Sequence, residues 1–309
     1  MRMSKTCSGY LISRAFMKRS FSRINIYGRM IKFEHSIFAL PFALSALLLA
    51  HQVRPVTLRL VSLIVMAVIW ARSAGMGFNR LVDAYWDAKN PRTAMREIPT
   101  GNISRRATGL FVLASSLLFV LCASFISPLC FWLSWPVLMV IFSYSYTKRF
   151  TSLSHLVLGF VQALGPLGVW VAVTGHFSLK ISVLSLTLGT YIAGLDLLYA
   201  CQDEEFDRRE GLHSFPARFG ITRALQLSML LHAITFASLL SLYLIFALSP
   251  LFLGFVAVIG ILLIIEHRIV KPHDLSRVNI AFFHLNSAIS VLLLAAMLTE
   301  ELLRRINYG

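Results

Sequence analysis

Nine of the fourteen acidic residues in this 309-residue chain fall in two short stretches, Asp83 to Glu97 and Asp196 to Glu210. In the first, Asn79, Asp83 and Asp87 recur every four residues; in the second, Asp196, Tyr199, Asp203 and Asp207 recur every three or four. At about 100° per residue each set lines one narrow face of a helix. Carboxylates spaced this way converge on a hard cation, and Mg²⁺ characteristically joins one or two carboxylates to phosphate oxygens while keeping waters. Two such helices could hold two ions, with Asn79 adding an amide oxygen and Tyr199 a hydroxyl near a leaving group. For either set alone, helix-end solvation with ion pairs to Arg92, Arg96, Arg208 and Arg209 is an equal alternative. The repetition of both sets favours the divalent-cation site.

The elements that carry these residues are membrane spans. The chain is 57% hydrophobic and 14% charged, with a mean hydropathy of +0.72. Its apolar runs of about 20 residues are long enough to cross a bilayer. Nine helices are expected, near 36–53, 60–82, 107–126, 129–146, 154–175, 181–201, 222–247, 250–266 and 279–299. Lys and Arg accumulate on the cytoplasmic side of membrane proteins. With this layout 22 of them fall on one side and five on the other, with Arg72 and Arg80 inside a span. That places the N-terminus and both acidic stretches in the cytoplasm, and the C-terminus outside.

The expected fold is therefore an all-α integral membrane bundle. Residues 1–30 form a basic cytoplasmic tail, 31–300 the membrane domain and 301–309 a short C-terminal tail. The formal charge of +15 is scattered over loops, which fits topology and anionic headgroups better than nucleic acid. Cys7, Cys122, Cys130 and Cys201 lack metal-binding or paired spacing, so neither zinc nor a disulfide is expected. The first thirty residues have the basic, acid-free composition of a mitochondrial presequence, although a bacterial basic tail or an upstream start site is the favoured reading. That reading puts the chain in a bacterial inner membrane, or in the mitochondrial inner membrane for a eukaryotic source.

Asp83/Asp87 and Asp203/Asp207 are offset by 120 residues, and each pair is followed by a Pro, a Gly and an Arg: Pro99, Gly101 and Arg105, then Pro216, Gly220 and Arg223. Four intervening spans restore the same orientation, which suggests a weak parallel repeat whose two motifs meet across a central cavity. The loop of about twenty residues after each motif is long enough to cover that cavity. Arg72 and Asp196 at membrane depth require protein or water around them. The glycines at 75, 77, 159, 165, 168, 189 and 194 read first as close helix packing.

Asn79-x-x-x-Asp83-x-x-x-Asp87 and Asp196-x-x-Tyr199-x-x-x-Asp203-x-x-x-Asp207 resemble the two aspartate-rich signatures of the UbiA superfamily of membrane prenyltransferases. The likeness extends to Arg72-Ser73-Ala74-Gly75, to Arg96 with Pro99-x-Gly101, and to Tyr146-x-Lys148-Arg149. It implies Mg²⁺-dependent transfer of a polyprenyl group from its diphosphate to an acceptor in the bilayer. By matching position, Asn79, Asp83, Asp87, Asp196, Asp203 and Asp207 would hold metal and diphosphate. Arg72, Lys148 and Arg149, with Asn79, would bind the diphosphate, and Tyr199 would lie near the leaving group. Within the superfamily the sequence resembles the 4-hydroxybenzoate polyprenyltransferase-like branch of quinone biosynthesis. Some members of that branch resemble a menaquinone enzyme acting on a dihydroxynaphthoate, and both acceptors are phenolic carboxylates.

Two departures stand out. Asn79-Arg80 replaces the Asn-Asp of many members, so Arg80 could contact diphosphate or pair with a neighbouring acid. Lys32-Phe33-Glu34-His35 replaces a Lys-Pro-Ile-Gly-like segment, and Glu34 or His35 could orient the acceptor, although a solvated tip is the commoner role for such a His. From a different class, a cation-coupled transporter also uses paired carboxylates and repeats. The clustering of acids at one membrane boundary, away from the midplane, argues for the enzyme.

Overall fold

The computed structural model describes residues 25–32 and 36–308. Thus Glu34 and His35, Cys7 and most of the basic N-terminal stretch lie outside the described residues. The described part is all-helical apart from a single bridge between Lys271 and Asp274. The main helices are α1 (Ser36–His51), α2 (Leu58–Lys89), α3 (Arg105–Ile126), α4 (Pro128–Thr147), α5 (Ser154–Thr174) and α6 (Leu179–Ala200). Two short helices, α7 (Glu204–Arg209) and α8 (Phe215–Phe219), precede α9 (Ile221–Ile245), α10 (Pro250–Ile269) and α11 (Asn286–Tyr308). A π-helical turn, Ile280–Leu285, leads into α11.

Eight segments are long and apolar enough to span a membrane, and Leu40–His51 is a shorter apolar helix. Together they match the nine expected helices. The chain is a multi-pass membrane protein. Lipid-facing stripes are legible on α3, where Leu110, Leu113, Leu117 and Leu121 are exposed at helical spacing. Helix starts follow ordinary capping chemistry: Ser104 accepts from the Ala107 N–H, and Ser127 accepts from Cys130 just ahead of Pro128.

Sequence neighbours pack on one another, and the circuit closes where α11 lies on α1 and α1 on α5. Helix α6 is the most enclosed, with Ile181, Leu184, Tyr191, Leu195 and Leu197 fully buried against α5 and α9. Glycines set the α5 to α6 spacing. A Cβ on Gly159 would lie 2.3 Å from the Gly189 carbonyl oxygen, so the two backbones touch directly. Gly75, Gly77 and Gly194 are likewise in tight contact with neighbouring side chains. Gly165 and Gly168 correct the packing expectation: nothing lies within 4 Å of a Cβ there, because both line an internal cavity.

Two details matter for the site. Helix α2 has 32 residues, about 48 Å at 1.5 Å per residue, so its last turns extend past a hydrocarbon core of about 30 Å. Those turns carry Asn79 to Asp87. The second motif is not one continuous helix face. Helix α6 ends at Ala200, Cys201–Asp203 is a 3₁₀ turn, and α7 resumes at Glu204. At three residues per turn in place of 3.6, that segment rotates the remainder of the motif by about 60°. Asp203 and Asp207 therefore point differently relative to Asp196 from what an unbroken helix would give.

Replacing Gly159 by Leu should force α5 from α6 and lower stability by about 1–3 kcal/mol. Gly165→Ala should leave the melting temperature in detergent nearly unchanged, since its Cβ enters open space. Thermal denaturation of the two variants tests the difference.

Candidate active site

The ends of α2, α4 and α6 and the starts of α5 and α7 enclose a polar chamber of about 180 Å³. It contains Asp83, Asp87, Asp196, Asp203 and Asp207 together with Arg80, Arg92, Arg96, Lys148 and Arg149. It adjoins a larger, mostly apolar cavity of about 410 Å³ lined by α2, α4, α5 and α6. Asn79, Arg80, Arg96, Tyr144, Asp196 and Tyr199 line both, and so mark the junction.

Each aspartate has a partner from another part of the chain. Asp87 Oδ1 is 2.6 Å from Arg96, while its buried Oδ2 has no hydrogen-bond partner among the described residues. Asp83 accepts from Asn79 Nδ2 at 2.8 Å and lies 3.8 Å from Arg149. That bond occupies the Asn79 amide nitrogen, leaving its carbonyl oxygen for a cation. Asp203 accepts from Arg92 through both of its oxygens and from Asn90 Nδ2 at 2.9 Å. Arg92 also donates to the Tyr199 hydroxyl at 2.8 Å. Burial disfavours the Arg92 cation, but its hydrogen bond and charge contact with Asp203 outweigh this and raise its pKa above the ordinary arginine value. Lys148 Nζ is 2.8 Å from Asp207 Oδ2, and Arg149 stacks over Trp86 and Tyr146.

The loops form the outer wall. Asn90, Arg92, Thr93 and Arg96 come from the segment after α2, and Asp207 and Leu212 from the segment after α6. The His213 N–H donates to the Lys148 carbonyl at 2.7 Å, and Lys89 meets Glu210 at 2.7 Å, so both loops are fastened across the chamber mouth.

Three residues have partners that the sequence did not specify. Arg72 lines the apolar cavity and not the polar chamber, and its Nη2 donates to the Lys32 carbonyl at 3.3 Å. Buried Arg80 donates through Nε to the Met30 carbonyl at 3.1 Å and forms no ion pair among the described residues. Asp196 is paired with His155, Oδ2 to Nδ1 at 2.6 Å. His155, Asn90 and Tyr144 were not legible as site residues. No fixed spacing links His155 to Asp196, 41 positions away, and only helix packing brings them together.

Among the described residues no three His, Cys, Asp or Glu side chains are gathered as a metal cluster, because the carboxylates are held by basic groups. The donor set nevertheless fits a hard cation: carboxylate oxygens surround one chamber, and two buried ones, Asp87 Oδ2 and Asp207 Oδ1, have neither a hydrogen bond nor an ion pair among the described residues. Five carboxylates face five cations in the chamber.

The fold and site define the class: a multi-pass membrane bundle with paired aspartate motifs around a charged chamber at one end. Residues 39–288 match the UbiA prenyltransferase family, and the chain belongs to that family. It is 28% identical over 281 residues to a 4-hydroxybenzoate octaprenyltransferase of Aromatoleum aromaticum, covering 90% of this chain and 95% of the relative. The apo structure of a UbiA homolog from Aeropyrum pernix K1 superposes with a TM-score of 0.79 at 31% identity, covering 86% of this chain and 98% of that one. A UbiA homolog from Archaeoglobus fulgidus bound to GPP and Mg²⁺ shares the fold, with a TM-score of 0.68 at 20% identity over 89% of this chain and 99% of that one.

Arg92→Ala would leave Asp203, whose side chain is 8% exposed, without its fork partner. Allowing for the partial exposure of Arg92, the loss should be about 2–3 kcal/mol. Adding Asp203→Asn to Arg92→Ala should recover part of it, as measured by denaturation of the single and double variants in detergent.

Proposed function

We propose that this prenyltransferase moves a polyprenyl group from its diphosphate to an aromatic hydroxy acid of the 4-hydroxybenzoate type, in respiratory quinone biosynthesis. The observation that carries the reading is the junction of a charged chamber with an apolar cavity, a division that matches a diphosphate head and an isoprenoid tail. The relative from Aromatoleum aromaticum supports the acceptor class. The excess of Lys and Arg on one side supports a bacterial inner-membrane protein with its N-terminus in the cytoplasm.

Asp83, Asp87, Asp203 and Asp207, with the Asn79 carbonyl, are the residues that would hold Mg²⁺. When bound, the metal supplies charge stabilisation for the departing diphosphate. The protein's own cations act on the same charge. Lys148 and Arg149 reach the chamber from the α4 to α5 loop, and Arg92 and Arg96 from the loop after α2. Each now pairs with an aspartate, so binding exchanges one anionic partner for another with little reorganisation. Tyr199, oriented by Arg92, lies at the junction where the prenyl C1 must sit. Arg72, facing the cavity, contributes positive charge at longer range. The loops tied across the mouth exclude water, which protects the allylic cation from hydrolysis.

The test incubates purified protein with Mg²⁺, a polyprenyl diphosphate and either 4-hydroxybenzoate or a dihydroxynaphthoate, with product read by mass. Prenylated aromatic product is expected; its absence with both acceptors would remove the proposed reaction. Asp83→Ala and Asp203→Ala should each lower turnover by about 100-fold or more. Turnover retained in either variant would refute its role at the leaving group.

A further inference from the structure

His155 and Asp196 are the one aspartate pair in the chamber that the leaving-group chemistry does not use. His155 is 4% exposed, at the start of α5, and faces Asp196 near the end of α6. Its Nδ1 is 2.6 Å from Asp196 Oδ2, while its Nε2 accepts the Phe215 backbone N–H at 3.5 Å. With Nε2 accepting, Nδ1 carries the proton that faces Asp196, so the imidazole donates to the carboxylate. The direct contact of Gly159 with Gly189 holds the two helices at the separation this hydrogen bond needs.

Asp196 thus differs from the other four aspartates. Asp83, Asp87, Asp203 and Asp207 each lie beside an Arg or Lys, whereas no Arg or Lys among the described residues forms an ion pair with Asp196. Its side chain is 24% exposed, it lines both chamber and cavity, and no hydrogen bond among the described residues reaches Oδ1. A carboxylate outside any Arg or Lys ion pair repels a diphosphate oxygen more than its paired neighbours do and accepts readily from a neutral hydroxyl. Its position at the junction, beside Tyr144 and Tyr199, is where an aromatic ring would approach the prenyl C1.

We infer that Asp196 is the acceptor-hydroxyl site: Oδ1 takes the hydrogen bond of the phenolic O–H, and His155 is a positioning residue that locks the carboxylate toward the cavity. This rests on the aromatic-acceptor reading proposed for the enzyme. The hydrogen bond draws electron density into the ring and turns the carbon beside the hydroxyl toward C1. The new C–C bond forms from the ring's electron pair, the C1–O bond breaks with its pair on the diphosphate, and the displaced ring hydrogen leaves as a proton taken up by the departing diphosphate. The substrate class is therefore one with a free hydroxyl next to the prenylated carbon. A methyl ether at that oxygen keeps the ring electron-rich but cannot donate.

The experiment compares whichever hydroxy acid the wild-type enzyme prenylates, 4-hydroxybenzoate or a dihydroxynaphthoate, with its O-methyl ether, using geranyl diphosphate and Mg²⁺. In wild type, kcat/KM should fall by at least about 100-fold on methylation, because a site built for a hydroxyl rejects an analogue that cannot donate. His155→Leu should raise the acceptor KM by about 10-fold, leave geranyl diphosphate binding unchanged and shrink the hydroxyl preference. His155→Gln, whose amide can still donate to Asp196, should restore most of both. A wild-type preference below about threefold overturns the inference even if the Leu variant fails to fold, as that is less discrimination than one hydrogen bond supplies. So does a loss of diphosphate binding in a folded His155→Leu that matches the loss for the acceptor, or an unchanged hydroxyl preference in that variant. No aromatic product from wild type would overturn the parent reading and this one together, whereas normal wild-type turnover with either of those His155 results overturns this one alone.

Discussion

Charge neutrality in a confined space is the constraint on which the rest of this structure depends. Five carboxylates at the edge of a bilayer are tolerable only if each has a partner, and unpaired burial would cost several kcal/mol per ion. The partners come from separate stretches of chain: Arg96 and Arg92 from one loop, Lys148 and Arg149 from another, and His155 from the start of α5. Pairing therefore joins elements that sequence separates by up to 111 residues, and in doing so closes the chamber. Asp203 is the clearest example. Its bonds to Asn90 and Arg92 draw the second motif onto the first at the point where α6 gives way to the 3₁₀ turn.

The same arrangement suits exchange. An aspartate held by an arginine and an arginine held by an aspartate are both pre-positioned, so on the proposed reading a metal and a diphosphate would replace the internal partners without a large backbone change. The apolar cavity beside the chamber depends on a different use of side chains. Gly165 and Gly168 leave room in the wall of α5, while Gly159 on the same helix brings the backbone against α6. One helix thus uses glycine for both opposite purposes, and which purpose each serves depends on the face it occupies.

Much of the fold was legible because the bilayer imposes length and polarity on each span. The nine apolar segments, the exposed leucine stripe of α3 and the placement of both acidic motifs at one end are consequences of that. Local spacing also carried Asn79, Asp83 and Asp87 correctly to one end of α2. It failed where the helix was not ideal. The 3₁₀ turn at Cys201–Asp203 rests on contacts made by Asp203 with another loop, and no helix-breaking residue in that stretch announces it. Arg80 shows the same limit: its residue type suggested an anion partner, yet its hydrogen bond goes to the Met30 carbonyl, 50 positions earlier.

By itself, then, the sequence determined the class of the protein, the membrane spans, and the end of the bundle at which the carboxylates of both motifs gather. These are properties of composition and of spacing within one helix, which local geometry and the bilayer suffice to set. Only the tertiary structure decided which cation meets which aspartate, that Arg72 faces the apolar cavity, and that Asp196 belongs with His155. Those are contacts between helices, and they depend on crossing, rotation and the glycine-set distance between α5 and α6, none of which is encoded at a fixed separation along the chain.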